Sequence, residues 1–275
     1  MGRRSSDAPV RGWRSGILSV AFSLFLIVFV GATLLLIMGD ALYVSGDAVK
    51  TVLTAPYIRQ ALWLSIWTSV ATVALSLVFA VPVGYVLSRY RFPGQVIADA
   101  VVDLPIVFPP LVAGLTLLVF FNQTGVGKWM EAHGMRFVFQ PQGIVLCQFV
   151  VSASYAIRSA KSAFDEIDRR VENVALTLGC GHWGAFAHVT LPLARNGIIA
   201  GAILTWARAF GIFGPLQIFV GSFRGRTEVL STAIFLEQSV GHIEVALAAA
   251  LLMIGIALAA LLAIRFVGGR ALVKL

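Results

Sequence analysis

Apolar, charge-free runs alternate with basic clusters along the whole chain. The first run lies between Arg14 and Asp40, with its core at 16–38; the second lies between Arg59 and Arg89, around 61–87. The third covers 98–121, with Asp99 and Asp103 in its first turns, and the fourth, bounded by Arg136 and Arg158, centres on 143–157. The fifth, 197–219, is interrupted by Arg208, and the sixth runs 245–264 and ends at Arg265. A helix needs about 20 largely apolar residues to cross a bilayer. The pattern therefore predicts an all-α integral membrane protein with six transmembrane helices.

Composition supports this reading. Of 275 residues, 59% are hydrophobic and 12% charged, against about 25% charged in ordinary soluble domains. The mean hydropathy is +0.89. A soluble enzyme and a disordered chain are both excluded. The formal charge of +8 at pH 7 would point to nucleic acid in a soluble chain; here it reads as basic residues collected in cytoplasmic loops, with no nucleic-acid partner. Fourteen basic residues fall on one side, among them Arg3, Arg4, Arg11, Arg14, Arg89, Arg91, Arg158, Arg195 and Arg265, and six on the other, with Arg208 inside a span. Both termini are expected in the cytoplasm. The expected organisation is a tail at 1–15, a six-span unit at 16–265 and a tail at 266–275. The run after Arg14 is too long for a cleaved leader and reads as the first span. Cys147 and Cys180 form no disulfide framework and are expected to be reduced.

The longest cytoplasmic connection, 158–196, lies between the fourth and fifth spans. It carries apolar residues at helical spacing over 171–178 and 183–189, with Gly179, Gly181 and Gly184 between them. This predicts two short helices joined by a turn at the membrane surface. The row of Asp165, Glu166 and Asp168 reads as a solvated loop face. Gly125-Val126-Gly127-Lys128 looks like the end of a phosphate loop, but Asn122 stands where the first Gly is required and Trp129 where Ser or Thr is required. It is read as a turn. His182 and His188 lack metal-ligand companions, His133 and His242 read as loop residues, and no catalytic constellation is visible.

Within the long connection, Glu172-Asn173-Val174-Ala175-Leu176-Thr177-Leu178-Gly179 is followed by Val189-Thr190-Leu191-Pro192. This resembles the cytoplasmic signature of permease subunits of binding-protein-dependent ABC importers. The match falls on Ala175, Gly179, Val189, Leu191 and Pro192. Asn173 stands at the family's Glu position and Val174 at its first Ala, with Glu172 as a neighbouring acid. The resemblance implies that this stretch, including His182 and Trp183, docks on a cytoplasmic ATPase subunit. Gly179 would permit a left-handed turn or a close backbone approach, and Pro192 would stop the second short helix.

Asp103-Leu104-Pro105, the Pro109-Pro110-Leu111-Val112-Ala113-Gly114 stretch and Ala207-Arg208-Ala209-Phe210-Gly211 with Phe213-Gly214 are similar to the molybdate and sulfate permeases. That branch usually has Glu where this chain has Ile212. The resemblance implies import of an oxyanion, with molybdate ahead of tungstate or sulfate, across a bacterial or archaeal inner membrane. It implies a second permease copy, an extracytoplasmic binding protein, and ATP with Mg held by the separate ATPase rather than by this chain. Asp103, Pro105, Pro109, Pro110, Arg208, Phe210 and Phe213 are the candidates for pathway or gate. Three roles are open to Arg208: an anion-attracting group, a structural pair with Asp103 or a helix-end carbonyl, and a snorkelling side chain. The prolines are read as a gate or a simple kink, and the Gly197/Gly201 spacing as a close helix contact, a dimer contact among the options. An ion-gradient-driven transporter is the rival; it would need intramembrane acids for ion coupling, for which only Asp99 and Asp103 qualify, both near the inner face, and often repeat symmetry, which is not visible. A permease for another small solute is the second rival.

Overall fold

The computed structural model describes the backbone of residues 13–272 and the side chains of residues 19–263. Most of the two expected tails, and Arg3, Arg4, Arg11 and Lys274 with them, lie outside the described residues or side chains. The regular elements described are all helical.

The first run is one helix, α1 (Trp13–Tyr43), followed by the short α2 (Gly46–Thr54), whose first turn is capped by the Ser45 hydroxyl accepting from the Ala48 amide. The second run is α3 (Pro56–Arg89), which starts on a proline where no amide hydrogen is needed. The third run is broken into α4 (Gln95–Val107) and α5 (Pro110–Gln123), bent by 109°. The cause is local. A residue before proline is pushed out of the helical region, and Phe108 and Pro109, each followed by a proline, both sit at ψ 129°. Pro105 stays inside α4. The described chain thus has five helices long enough to cross a membrane, or six with the bent pair taken as one span.

Three further expectations are corrected. Gly125 does not begin a turn: it opens a helix, α6 (Gly125–Ala132), capped by the Thr124 hydroxyl. The fourth span, α7 (Pro141–Asp165), continues past the expected end and takes Arg158 out of the loop. After α8 (Arg169–Thr177) and α9 (His182–Ala185), a π-type turn at Phe186–Thr190 runs straight into α10 (Leu191–Phe210). Pro192 therefore does not end a helix. The wider turn, in which the Leu191 amide reaches back five residues to the Phe186 carbonyl, brings Pro192 in at the start of the regular ladder, where its missing amide is tolerated. The fifth run ends at Gly211, and the rest of it forms α11 (Gly214–Phe219); α12 (Leu230–Ser239) and α13 (Ile243–Leu272) complete the chain.

The centre of the bundle is α7, packed against α3 and α10. Small residues set the spacing. A Cβ on Gly84 would meet the Lys161 amide nitrogen at 2.9 Å, and Cβ atoms on Gly197 and Gly201 would meet Ala163 at 2.4 Å and Ser159 at 2.6 Å. The Gly197/Gly201 pair is thus a contact within the chain. An alanine-rich cluster of Ala80, Ala156, Ala160, Ala163, Phe164 and Ala194 fills this junction, as expected where lipid-embedded helices associate by close packing. The buried face of α3 is a stripe of Ser65, Thr68, Ser69, Thr72 and Ser76. Ser65 and Thr68 donate to carbonyls four residues back, each at 2.8 Å, which satisfies hydroxyls that water cannot reach.

Candidate functional site

At the cytoplasmic side as read from the basic residues, α8 opens on Asp168, whose Oδ1 accepts from the Arg170 amide at 2.9 Å. It closes on Gly179 at φ +93°, with the Gly179 amide on the Leu176 carbonyl and the Cys180 amide on the Ala175 carbonyl, both at 3.1 Å. This paired closure requires a left-handed residue, which glycine supplies without strain. A Cβ there would touch nothing within 4 Å, so Gly179 serves the turn and not a close approach. Val174, Leu178 and Trp183 are 57%, 80% and 77% exposed, and with the exposed Val171 and His182 they form a largely apolar surface on the α8–α9 segment. Val189 and Leu191 are half-buried and Pro192 is exposed. Asp165, read as a solvated loop acid, accepts from the Ser88 hydroxyl at 2.6 Å and pairs with Lys161.

Two residues expected on the exposed face lie on the other one. Ala175 is buried. Glu172 points inward, its Oε1 2.8 Å from Arg89 Nε and its Oε2 accepting from the Tyr85 hydroxyl at 3.3 Å. Asn173, at the neighbouring position, is the one exposed. The hundred-degree step between adjacent helical residues decides this: with Val174 and Leu178 outward, Glu172 faces α3.

The two helix breaks meet. A Cβ on Gly114 of α5 would lie 2.5 Å from the Pro215 carbonyl oxygen, and one on Gly214 would lie 3.2 Å from Leu111 Cδ2. Thus α5 and α11 pack together directly after their respective breaks. Pro109 and Pro110 are exposed there, Pro105 is half-buried, and Phe213 lies in the second break with its ring 4.9 Å from that of Phe235. Phe210 is buried, stacked on Trp206 at 5.1 Å. Gln148, which hydropathy alone does not single out, ties three helices at this junction: it accepts from Thr72 at 2.9 Å and donates to the Ala209 carbonyl, near the end of α10, at 3.0 Å.

Asp103 does not pair with Arg208. Its carboxylate is held by Arg158 of α7, which also bonds Asp99 Oδ1 at 3.0 Å and the Asp99 carbonyl at 2.9 Å. Arg208, in the last turn of α10, is exposed, and among the described residues it has no carboxylate within ion-pair distance.

At the opposite end of α3 is a polar cluster that the sequence pattern shows only as ordinary loop charges. Arg224 lies over the Tyr57 ring at 4.4 Å, its Nη2 2.5 Å from Glu237 Oε1 and its Nε 3.8 Å from Glu228 Oε1. Glu237 also accepts from His242 Nδ1 at 2.8 Å. Glu228 is 2% exposed, and neither of its oxygens has a hydrogen-bond partner among the described residues. Burial raises its pKa, partly opposed by Arg224 and reinforced by Glu237.

Residues 80–273, which include both breaks and the α8–α9 segment, match the family described as binding-protein-dependent transport system inner membrane component. The chain is 37% identical over 201 residues to the molybdate/tungstate transport system permease protein of Thermococcus kodakarensis, covering 73% of this chain and 76% of that one. It is 33% identical over 202 residues to the sulfate transport system permease protein of Escherichia coli, covering 73% and 69%. A chain of a solved bacterial alginate ABC transporter, crystallised with an alginate-bound periplasmic protein, superposes with a TM-score of 0.71 over 95% of this chain and 96% of that one, at 15% identity. That last likeness is one of fold alone.

Proposed function

Because the chain belongs to the binding-protein-dependent transport system inner membrane components, in the molybdate, tungstate and sulfate branch, we propose that it is the pore-forming subunit of an oxyanion importer. Molybdate is the first substrate, with tungstate or sulfate next. Two copies form the pathway, an extracytoplasmic binding protein delivers the anion, and separate ATPase subunits carrying ATP and Mg drive alternating access. Both termini lie in the cytoplasm, with the six-span unit at 16–265 between the tails.

The observation that carries this reading is the exposed apolar face of Val171, Val174, Leu178 and Trp183 on a segment whose turn is held by Gly179. An amphipathic helix with such a face suits a groove on a partner. Arg208 supports the anion assignment. A guanidinium on a spanning helix with no carboxylate partner among the described residues calls for water, an anion or a second copy beside it. The rival of ion-gradient coupling loses its two candidate acids, since Arg158 engages both Asp99 and Asp103.

Replacing Gly179 by Trp should uncouple ATP hydrolysis from import while the protein still accumulates in the membrane, because φ +93° strains any residue with a Cβ. Import at the wild-type rate with normal ATP consumption would reject the docking role. Orientation is tested separately. A thiol reagent confined to the outside of intact cells should miss Cys180, and labelling from that side would invert the proposed topology.

A further inference from the structure

The link between the proposed docking segment and the membrane helices is concentrated at one residue. Arg89, the last residue of α3, donates from Nε to Glu172 of α8 at 2.8 Å and from Nη2 to the Ile167 carbonyl at 3.0 Å. The two side chains are only 7% and 13% exposed. Around them, the Tyr85 hydroxyl reaches the other Glu172 oxygen, and Arg169 donates to the Ser88 carbonyl at 2.9 Å, capping the end of α3. The aromatic side of the same junction is looser. Trp183 packs tilted on Phe186 at 5.5 Å and Tyr85 meets Phe186 edge to face at 4.8 Å, and the three border an open apolar cavity of about 430 Å³ that His182, Tyr90 and Val81 also line. Apolar contacts beside a void can slide, whereas a nearly buried ion pair, each partner of which makes one further hydrogen bond, holds two elements in one register.

Beyond this pair, α3 runs unbroken for 34 residues. At Thr72 it meets Gln148, which also bonds the Ala209 carbonyl beside Arg208. At Ser65 its hydroxyl accepts from the Leu230 amide at 2.7 Å, at the start of α12. One helix therefore touches the docking segment and the start of α12, and through Gln148 reaches the end of α10.

We propose that Arg89 is a positioning residue which, through Glu172, fastens the docking segment to α3 and makes α3 the element that carries ATPase closure into the pathway. The inference rests on the proposed docking of the α8–α9 segment on an ATPase, and it adds that Glu172 works inward and not on the ATPase surface.

The test uses the assembled importer with its ATPase in proteoliposomes, with molybdate as the probe anion. Two quantities are read: anion imported per ATP hydrolysed, and cross-linking of the native, exposed Cys180 to the ATPase. In the unmutated complex Cys180 should cross-link; if it does not, the docking assignment itself fails, before any variant is made. Arg89→Gln should retain the cross-link while import per ATP falls by about tenfold, a typical coupling effect. Arg89→Lys should recover part of the loss. The exchange of Arg89→Glu with Glu172→Arg should recover more than either single change, which also guards against a variant that merely folds poorly. Normal import per ATP in Arg89→Gln, loss of the cross-link together with import, or no recovery in the exchange would each overturn the proposal.

Discussion

At the end of α3 read as cytoplasmic, its inner end, one cation is set against one acid: Arg89 faces Glu172, and both Glu172 oxygens accept a hydrogen bond. At its outer end Tyr57 lies under Arg224, and this single guanidinium is divided between two buried acids, Glu237 at 2.5 Å and Glu228 at 3.8 Å. The inner group is balanced in charge and closed in hydrogen bonding. The outer group carries one negative charge too many unless one of its members takes up an extra proton, and Glu228 is the member left without a hydrogen bond among the described residues. A balanced pair is a strut. An unbalanced buried cluster instead responds to pH, because protonation removes the cost of its excess charge.

The largest expected effect comes from breaking the strut. Arg89→Leu leaves Glu172 nearly buried and unpaired, and removing one partner of a buried pair costs about 3 kcal/mol. Unfolding of the detergent-solubilised protein should show the loss, and Arg89→Leu combined with Glu172→Leu should recover most of it. A loss in the single variant that the double does not recover would mean that the pair is not what holds the junction.

Relieving the outer cluster should give a smaller effect of opposite sign. The folded-state pKa of Glu228 lies above its ordinary value of 4.5, chiefly through burial. For such a group, the favourable contribution of the protonated form is complete below 4.5 and is lost as pH rises through the raised folded value. Glu228→Gln keeps the shape without the charge. At pH 8 it should raise the unfolding midpoint by about 2–4 °C, equivalent to roughly 1 kcal/mol. The gain should shrink towards pH 4.5. A variant less stable than wild type at pH 8 would show that Glu228 is ionised and usefully paired.

These two clusters were not equally legible. Glu172 stands beside a recognisable motif and was read with the docking stretch for that reason, although its helical position sets it on the other face from Val174; its partner, Arg89, shows only where the end of α3 meets α8. Glu228 and Arg224 look like ordinary loop charges, since nothing local marks a loop residue for burial. The same division runs through the fold. The six apolar runs were visible because hydropathy reports transfer from water directly. Hydropathy gives no direction, so the 109° bend before Pro110 and the passage of α10 through Pro192 were hidden. Arg158 read as a loop residue because basic residues usually are, and only the packing of α4 on α7 shows it between Asp99 and Asp103. Gly197 and Gly201 announced a close contact but not with which helix. The Ser65, Thr68, Ser69, Thr72 and Ser76 stripe, spaced three and four apart, was a readable sign of the buried face of α3.

The smallest expected effect on stability, and the most selective one, is at the third cation. Arg89 and Arg224 are each committed to an acid, whereas Arg208 is exposed on its own chain with no carboxylate partner among the described residues. If it contributes only potential to an anion pathway, Arg208→Gln removes no folded-state bond and should change stability by less than about 0.5 kcal/mol, as for other exposed positions. Import per folded dimer should nevertheless fall. Arg208→Lys should fall less, because it keeps the charge and loses the fork-shaped donor geometry. The control comes from the comparison itself: Arg89→Leu lowers stability and coupling together, while Arg208→Gln should lower import with the unfolding midpoint unmoved. A drop in membrane abundance for Arg208→Gln would instead place its partner on the second copy of the chain. Normal import per dimer would remove Arg208 from the pathway, leaving the helix breaks at Pro109 and Gly211 as the remaining pathway candidates.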